Sequence, residues 1–397
     1  MKEEKRRVPK LRFPGFTEDW EQCKLTDIAK TFIGLVTTMT ENYRDSGTLL
    51  IRNSDIKEGQ FIFSEKPIHL DEEFAEKNKT RRLQIGDVVT VHTGDIGTSA
   101  VIKEKEAGAI GFATINTRTD KRILNPYFLS TYFNTEKHKC YANSVSTGDG
   151  RSNYNIKDFN KLVISIPTLD EQEKISALIN NINTIITLHQ RKLENLKLKK
   201  KALLQKLFPR NGECYPELRF PGFTDAWEQR KLGSIGSTYT GLSGKTKEDF
   251  GHGEAQYITY LNVFQNTVSD ITMTDKVEID TTQNEVKYGD VLFTTSSETP
   301  EEVGMSSVWL GVSPNTYLNS FCFGFRPNQK INPYFLGYSL RSPYMRNKIK
   351  ILAQGISRYN ISKNKVMELE ISVPNNEEQK LLGAFLQRID LIITLHQ

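Results

Sequence analysis

The sequence has few of the features that mark secreted, membrane or metal-binding proteins. Four of its 397 residues are cysteine and none lies in a CxxC pair, which argues against a disulfide framework and a zinc site. No run of 18 apolar residues is present, and the charged first ten residues lack the apolar core of a secretory signal. These absences predict a cytoplasmic protein without a membrane span.

Catalytic and cofactor-binding motifs are also missing. The sequence contains no GxxxxGK[ST] phosphate loop, no GxGxxG after a strand, no HExxH and no GxSxG nucleophile elbow. NPYF at 125–128 has one proline fewer than the Asn-Pro-Pro-Tyr loop of adenine methyltransferases, and its return at 332–335 indicates a structural role. The chain is therefore predicted to have no catalytic residue, no metal and no cofactor of its own.

Residues 168–210 are predicted to form one long spacer helix. Thr168 and Glu171 stand at capping-box spacing at its start, and Pro209 and Gly212 end it. About 40 residues at 1.5 Å each give a rod of roughly 60 Å, which favours a spacer between domains over a helix buried in one core. Seam residues recur in alternating steps of three and four, as in a helix packed lengthwise on another, at Ile179, Ile182, Ile186, His189, Leu193, Leu196, Lys200, Leu203 and Leu207.

Basic charge is concentrated on this helix. Residues 191–210 hold eight basic residues and one acid, a net charge of +7, so the rest of the chain contributes −2 to the total of +5. Such a stripe is typical of a solvated helix face, and contact with phosphates or with an acidic partner is the alternative. Net charge alone therefore does not establish nucleic-acid binding.

The chain is an internal repeat with a period of 207 residues. Residues 11–25 read LRFPGFTEDWEQCKL and residues 218–232 read LRFPGFTDAWEQRKL, with twelve of the fifteen positions identical. IITLHQ at 185–190 returns at 392–397, and the capping-box spacing of Thr168 and Glu171 returns at Asn375 and Glu378. Each half is thus a globular segment followed by a helix.

The globular segments are predicted to be mixed α and β. Short β-branched or apolar runs bounded by turn residues predict strands at 48–52, 88–92 and 161–166, and at 257–263, 290–295, 320–326 and 368–373. A short helix is expected at each NPYFL, 125–129 and 332–336. The predicted fold class is α+β, with two repeated mixed α/β domains at 1–167 and 211–374 separated by long helices at 168–210 and 375–397.

The two halves differ between these shared positions. Residues 33–83 and 240–286 have almost no alignable sequence, which is explained either by free drift of loops or by surfaces that meet two different targets. GRSNYNI at 150–156 and GISRYNI at 355–361 are partly shared. Their side chains offer donors suited to a phosphate or a base edge, and a turn before the last strand explains them equally well.

The repeated LRFPGFTxxWEQ, and the helix that carries IITLHQRKL and ends in LLQKLFP, resemble the specificity subunit of a type I restriction–modification system. The resemblance covers essentially the whole chain. It implies two target-recognition domains that each bind half of a split DNA sequence, and helices that space the domains and dock two methyltransferase subunits. It further implies N6-adenine methylation by those subunits with S-adenosylmethionine, and ATP- and Mg-dependent translocation and cleavage when restriction subunits join.

Two such modules, each followed by a helix, can pair their helices in an antiparallel coiled coil. The modules would then be related by a pseudo-two-fold axis, which matches the symmetry of the two DNA strands. Half-sites about one helical turn apart lie ~34–36 Å centre to centre, a span that a rod of roughly 60 Å accommodates.

Polar residues at loop and strand ends are the expected DNA contacts. In the first domain they are Arg52, Asn53, His92, Thr93, Arg151, Ser152, Asn153 and Tyr154. In the second domain they are Tyr260, Asn262, Thr295, Ser296, Ser357, Arg358 and Tyr359. Partner binding is expected on the helix seam at Ile186, His189, Leu193, Leu196, Lys200, Ile393 and His396.

Two other classes of function stay open at this point. A stand-alone nuclease or methyltransferase would need a metal or cofactor site that the sequence does not contain. A scaffold would join two proteins through the coiled coil and bind non-nucleic ligands at its globular ends. The second helix stops at Gln397, the mate of Gln190, whereas the first continues with RKLENLKLKKKALLQKLF, so a shortened second helix is expected and the completeness of both partner sites is open.

Overall fold

The computed structural model of the chain describes residues 9–37, 40–147, 153–210 and 212–396. The chain divides into two units, residues 1–187 and 188–397. Over the part of the chain that the structure describes, none of the helices combines the length and the apolarity that a bilayer crossing requires.

The first unit is built on antiparallel strands. Its central sheet has the strand order Ala29–Ile33, Thr114–Thr119, Val88–Val91, Ser99–Val101. A second sheet has the order Ile110–Phe112, Thr48–Arg52, His69–Leu70, Tyr43–Arg44, and its first two strands are parallel. Two-stranded pairs join Glu21–Lys24 to Val163–Ile166 and Ile56–Lys57 to Gln60–Phe61. The predicted strands at 48–52, 88–92 and 161–166 are confirmed within one or two residues at each end.

The helices of the first unit begin at polar caps. Asn125 Oδ1 accepts hydrogen bonds from the backbone N–H groups of Tyr127 and Phe128, and Pro126 takes the first helical position, where a missing N–H costs nothing. The predicted helix at NPYFL is therefore confirmed, as Pro126–Phe133. The remaining α-helices of this unit are Leu25–Ile28, Glu72–Lys77, Glu136–Val145, Ile156–Phe159 and the first half of Leu169–Lys206. The 3-10 turns are Thr40–Asn42, Asn53–Asp55, Lys79–Arg81 and Glu104–Glu106.

The second unit repeats this frame. Its four-stranded sheet has the order Gly236–Thr240, Cys322–Pro327, Val291–Thr294, Ser306–Val308. A three-stranded sheet has the order Thr274–Val277, Phe250–Ile258, Thr316–Leu318. Two-stranded pairs join Glu228–Lys231 to Glu370–Val373 and Ser296–Ser297 to Tyr359–Asn360. The other elements are Leu232–Ile235, Tyr260–Gln265, Pro333–Leu340, Pro343–Ile351, Lys363–Met367, Asn376–Thr394 and the 3-10 turn Lys247–Asp249.

One predicted strand of the second unit is wrong in part. The run 257–263 was expected to be extended throughout, but the strand ends at Ile258 and a helix begins at Tyr260. Thr259 caps that helix, because its hydroxyl accepts a hydrogen bond from the N–H of Asn262. Thr259 is β-branched and fits a strand pattern, so the sequence does not show that the strand ends there and a helix begins.

The repeat is visible in strand register as well as in sequence. Glu21 pairs with Ile166 in the first unit, and Glu228 pairs with Val373 in the second, so both partners are displaced by the same 207 residues. In each unit an arginine of the LRFPGFT stretch contacts the first turn of the helix that follows the paired strand. The two units are thus one backbone frame used twice.

In each unit a buried ion pair joins the LRFPGFT stretch to the start of the following helix. The Arg12 guanidinium donates two hydrogen bonds of 2.8 Å to the Glu171 carboxylate, and Arg219 does the same to Glu378. Both carboxylates are almost fully buried. The sequence assigned Glu171 and Glu378 to capping boxes, whereas their carboxylates accept these arginine forks instead. Asn375 does cap its helix, by accepting from the N–H of Glu378 at 3.0 Å.

The next residue of each helix ties it to the NPYFL helix. Gln172 Oε1 accepts from the N–H of Asn125 at 2.8 Å, and its amide donates to the Pro167 carbonyl at 2.9 Å. Gln379 makes the same two bonds to Asn332 and Pro374, at 2.9 and 2.8 Å. Buried amides with both ends satisfied hold the orientation of the helix, because any other orientation leaves polar groups unpaired.

Candidate functional site

In the first unit, predicted site residues meet at the end of the buried strand Val88–Val91. The His92 N–H donates to Asn53 Oδ1 at 3.1 Å, and the Thr93 hydroxyl donates to Asn153 Oδ1 at 2.7 Å. His92 Nδ1 lies 2.8 Å from the Thr93 hydroxyl, and the Tyr154 N–H donates to the His92 carbonyl at 2.9 Å. We call Asn53, His92, Thr93 and Asn153 the first polar cluster.

Not all predicted residues of this unit face solvent. Tyr154 is fully buried in the core, where its hydroxyl lies 3.3 Å from His138 Nε2, so its ring has no surface to offer a ligand. Burial raises the pKa of Tyr154 and lowers the pKa of the half-buried His92, so both side chains favour their neutral forms. Arg151 and Ser152 lie outside the described residues.

Arg52 lies beside the first polar cluster but is already paired. Its guanidinium donates to both carboxylate oxygens of Asp55, at 3.0 and 2.8 Å, and this contact raises the pKa of Arg52. Asn53 donates from its amide to the Ala113 carbonyl at 3.1 Å, so it is oriented from both ends. Asp55 and Ala113 are positioning residues that the sequence did not indicate.

In the second unit, three predicted residues line one cleft. Tyr260, Ser296 and Arg358 border a cavity of about 410 Å³, with Phe264, Phe321 and Glu298 among its other walls; we call it the Arg358 cleft. Tyr260 donates to the Ser296 carbonyl at 2.7 Å. The Tyr260 and Phe264 rings stack with centroids 5.9 Å apart and planes at 16°.

The strand pair Ser296–Ser297 with Tyr359–Asn360 closes one side of this cleft. Thr295 anchors the turn, because its hydroxyl donates to the Phe321 carbonyl at 2.7 Å. Ser357 and Arg358 are exposed and Tyr359 is half-buried. Asn262 is fully buried instead, and its amide donates to the carbonyls of Asp270 and Met273, so it supports the fold.

The two motifs that resembled each other in sequence are offset by two residues in the structure. The N–H groups of Tyr154 and Ile361 both donate at 2.9 Å, to the carbonyls of His92 and Thr295 respectively. The structural mate of Tyr154 is thus Ile361, and both side chains are buried. Tyr359 is displaced from the matched position, which leaves it and Arg358 at the surface of the cleft.

Three of the predicted partner residues, His189, Lys200 and His396, lie on contacts between helices of the second unit. The His189 and His396 rings have centroids 5.8 Å apart, and Lys200 Nζ lies 2.5 Å from Asp390 Oδ1. Positions that increase along the first helix meet positions that decrease along the second. Leu193, Leu196 and Lys200 are half-buried, and Ile393 is 8% exposed.

The first unit carries the same apolar face without such cover. Ile186 is 49% exposed, although it is the repeat mate of Ile393, and Ile182 is 43% exposed. Leu178 and Ile185 are exposed on the same stretch of helix. Exposed apolar stripes of this kind mark interaction sites.

No group of His, Cys, Asp and Glu side chains in the described ranges is arranged to hold a metal ion. The ionisable groups that are strongly shifted in pKa lie in the core or in structural ion pairs. Tyr239, for example, donates to Asp290 Oδ2 at 2.7 Å, and burial raises the pKa of the Tyr239 hydroxyl. The candidate site therefore consists of hydrogen-bonding surfaces at two loop clusters.

A family described as "Type I restriction modification DNA specificity domain" matches residues 17–198 and again residues 224–397. The chain is also similar to the type I restriction enzyme MjaVIII specificity subunit of Methanocaldococcus jannaschii. That protein is 21% identical over 399 residues, which cover 97% of this chain and 88% of the relative.

Solved structures support the same architecture. The S subunit of a type I restriction–modification system from M. genitalium superposes with a TM-score of 0.55 at 12% identity, over 98% of this chain and 94% of that one. A chain from structural work on complex assembly of the type I R-M system gives a TM-score of 0.54 at 18% identity, over 98% and 93% of the two chains. At these identities the likeness concerns the fold.

Proposed function

Because the chain belongs to the type I restriction–modification specificity family and is the DNA specificity subunit of such a system, we propose that its two units each read one half of a bipartite DNA target. The observation that carries this proposal is the contrast within the repeat. Both units have the same strand register and the same buried arginine–glutamate ion pair. The polar residues that their loops present are different. A common frame with two different surfaces suits two different half-sites.

We infer that residues 1–167 and 211–374 are the target-recognition domains. Asn53, His92, Thr93 and Asn153 would contact the first half-site, where their amide, imidazole and hydroxyl groups suit base edges and phosphates. Tyr260, Thr295, Ser296, Ser357, Arg358 and Tyr359 would contact the second half-site. Tyr154 and Asn262 would act from the core, since both are buried.

We propose that residues 168–210 and 375–397 form an antiparallel coiled coil that spaces the domains and docks two methyltransferase subunits. The opposed contacts of His189 with His396 and of Lys200 with Asp390 support the antiparallel order. The exposed apolar stripe that includes Ile182 and Ile186 supports a docking role. These side chains lie on the predicted seam of the helix, yet they are largely exposed to solvent.

In this proposal the chemistry belongs to partner subunits. S-adenosylmethionine would be bound by the methyltransferase subunits, and ATP and Mg by the restriction subunits that join them. The chain itself would be cytoplasmic and would determine which DNA sequence the complex binds. The proposal for this chain is therefore one of binding without catalysis.

Mapping methylated adenines in cells with and without this gene tests the function. We expect a set of methylated sites that share a split sequence, and its complete loss when the gene is deleted. Re-expression of the chain should restore the same set. Methylation that is unchanged by deletion, in cells where the partner subunits are present, would contradict the proposal.

A further inference from the structure

The Arg358 cleft holds an arginine whose guanidinium makes no hydrogen bond and no ion pair with any described residue. Of the six arginines between residues 212 and 374, Arg219, Arg230, Arg326, Arg341 and Arg346 all donate to carboxylates, amides or backbone carbonyls. Within the described ranges, Arg358 donates from its guanidinium to none, although it is exposed at the cleft wall. An unengaged five-donor fork is available to a ligand.

A carboxylate with the same property lies in this cleft. Glu302 accepts from the hydroxyls of Ser297 at 3.3 Å and Thr299 at 2.9 Å, so it is held by its own loop. Glu298 is exposed and, among the described residues, accepts no hydrogen bond. The cleft therefore offers one free donor fork and one free carboxylate acceptor, which are not paired with each other.

The balance of charge disfavours a backbone phosphate as the ligand. Arg358 contributes one positive charge, and Glu298 and Glu302 contribute two negative charges to the same walls. A phosphate placed here would meet a net negative site, and like charges brought close without compensation are unfavourable. A neutral ligand that presents both acceptors and a donor fits better.

The major-groove edge of a G·C pair has that pattern. Guanine presents the acceptors N7 and O6, which match the two parallel donors of an arginine, and cytosine presents the N4 donor, which matches a carboxylate. We propose that the Arg358 cleft reads one G·C pair of the second half-site, with Arg358 on the guanine and Glu298 on the cytosine. This inference rests on the proposed function, and it assigns Glu298 as a specificity-determining residue.

The apolar walls complete the site. Phe321 is 56% exposed and Leu261 is 55% exposed at the cleft, beside the stacked Tyr260 and Phe264 rings. Apolar groups around a polar contact exclude water and so strengthen the hydrogen bonds at its centre. Large apolar side chains that are exposed together in this way are typical of a surface that binds a partner.

The test uses the full chain in complex with its methyltransferase subunits. Binding is measured to duplexes that carry the mapped target, with each base pair of the second half-site replaced in turn by the other three. The wild-type complex should discriminate against every replacement of one G·C pair. In Arg358→Ala and in Glu298→Ala, discrimination at that same pair should fall roughly tenfold or more, with other positions unchanged.

Two further variants separate the alternatives. Arg358→Lys keeps the charge but lacks the two-donor fork, so it should lose discrimination at the G·C pair and largely keep affinity for unrelated DNA. Glu254→Ala removes an exposed carboxylate of the same unit outside the cleft and should leave discrimination as in the wild type.

Several results would overturn the inference. They are loss of discrimination at two different positions in the two alanine variants, a uniform loss across all duplexes in Arg358→Ala, or a second half-site without a G·C pair. These outcomes leave the proposed function intact, provided that the wild-type complex prefers the mapped target. A wild-type complex without any sequence preference would instead remove the proposed function, and this inference with it.

Discussion

His138 connects the core of the first unit to its polar cluster. Its Nδ1 lies 2.7 Å from the Phe133 carbonyl, and its Nε2 lies 3.3 Å from the hydroxyl of Tyr154, whose own N–H donates to His92. The side chain is 1% exposed, and burial lowers the pKa of His138 from 6.5 to about 4. The imidazole is therefore neutral at pH 7, and protonation would charge a buried ring.

This residue predicts an acid-sensitive first unit. Because the folded-state pKa of His138 is below the unfolded value, its contribution to the free energy of unfolding is complete above about pH 6.5 and is lost as the pH falls towards 4. The full loss amounts to about 3 kcal/mol. Urea unfolding from pH 7 to pH 4 should show this slope, and His138→Gln should flatten it. An equal slope in both proteins would contradict the assignment.

The Arg12–Glu171 and Arg219–Glu378 ion pairs could not be predicted from the sequence. All four positions were visible within the repeat, 207 apart, and a capping role for the glutamates satisfied every local rule. The arginines lie 159 residues from their partners. Only the strand pairs Glu21–Lys24 with Val163–Ile166 and Glu228–Lys231 with Glu370–Val373 bring them together.

At the scale of elements, the helix seam has different surroundings in the two units. In the second unit Leu207, Phe208, Trp227, Leu382 and Leu386 form one buried cluster. Trp20, the mate of Trp227, is half-buried and packs edge-on against Phe128. The same helix face is therefore covered in one unit and exposed in the other, which periodicity cannot distinguish.

The exposed seam predicts a partner-binding defect. Ile186→Asp should weaken binding of methyltransferase subunits at least tenfold, because it places a charge in the middle of an apolar stripe, while the free energy of unfolding changes by less than about 1 kcal/mol at this exposed position. Thr184→Asp, on the opposite face of the same helix, is the matched control and should bind normally. Pull-down or calorimetric titration with purified partner subunits measures both. Normal binding by Ile186→Asp would place the partner elsewhere.

For the molecule as a whole, the proposal implies that each unit recognises its half of the DNA target independently of the other unit. The first polar cluster and the Arg358 cleft belong to different units and share no residue. Interactions at well-separated sites without shared partners usually add. Sequence choice in one half of the target should then be adjustable without changing the other.

This independence can be measured with two single variants and their combination. Asn53→Ala should relax sequence preference in one half of the mapped target, and Arg358→Ala should relax it in the other half. The double variant should show the sum of the two free-energy losses within about 0.5 kcal/mol. Duplex binding by the complex, or methylation mapping in cells, gives the comparison. If both variants relaxed the same half, the assignment of one half-site to each unit would be wrong.

Much of the candidate site followed from position in the chain. Polar residues just after a buried strand are expected at the surface, and His92, Thr93 and Thr295 lie half-buried at strand ends beside the clusters. Ser296 lines the cleft but is only 8% exposed. The expectation was less useful for Tyr154 and Asn262, which are buried. Tyrosine and asparagine combine polar groups with enough apolar surface to serve a core, so residue type alone does not decide their exposure. No feature of the local sequence indicates that Glu298 belongs to the candidate site.

The order of residues along the chain is enough to predict the repeat, most of the strands, the short helices at 125–129 and 332–336, and the family resemblance. These depend on order along the chain, which periodicity and short-range hydrogen bonds express directly. Which polar side chains are left without a hydrogen-bonding partner depends on the folded arrangement of distant segments. Arg52 meets Asp55 and Arg219 meets Glu378, whereas Arg358 and Glu298 meet no partner among the described residues. The physical reason is that the free energy of a buried or engaged polar group depends on neighbours brought from distant parts of the chain.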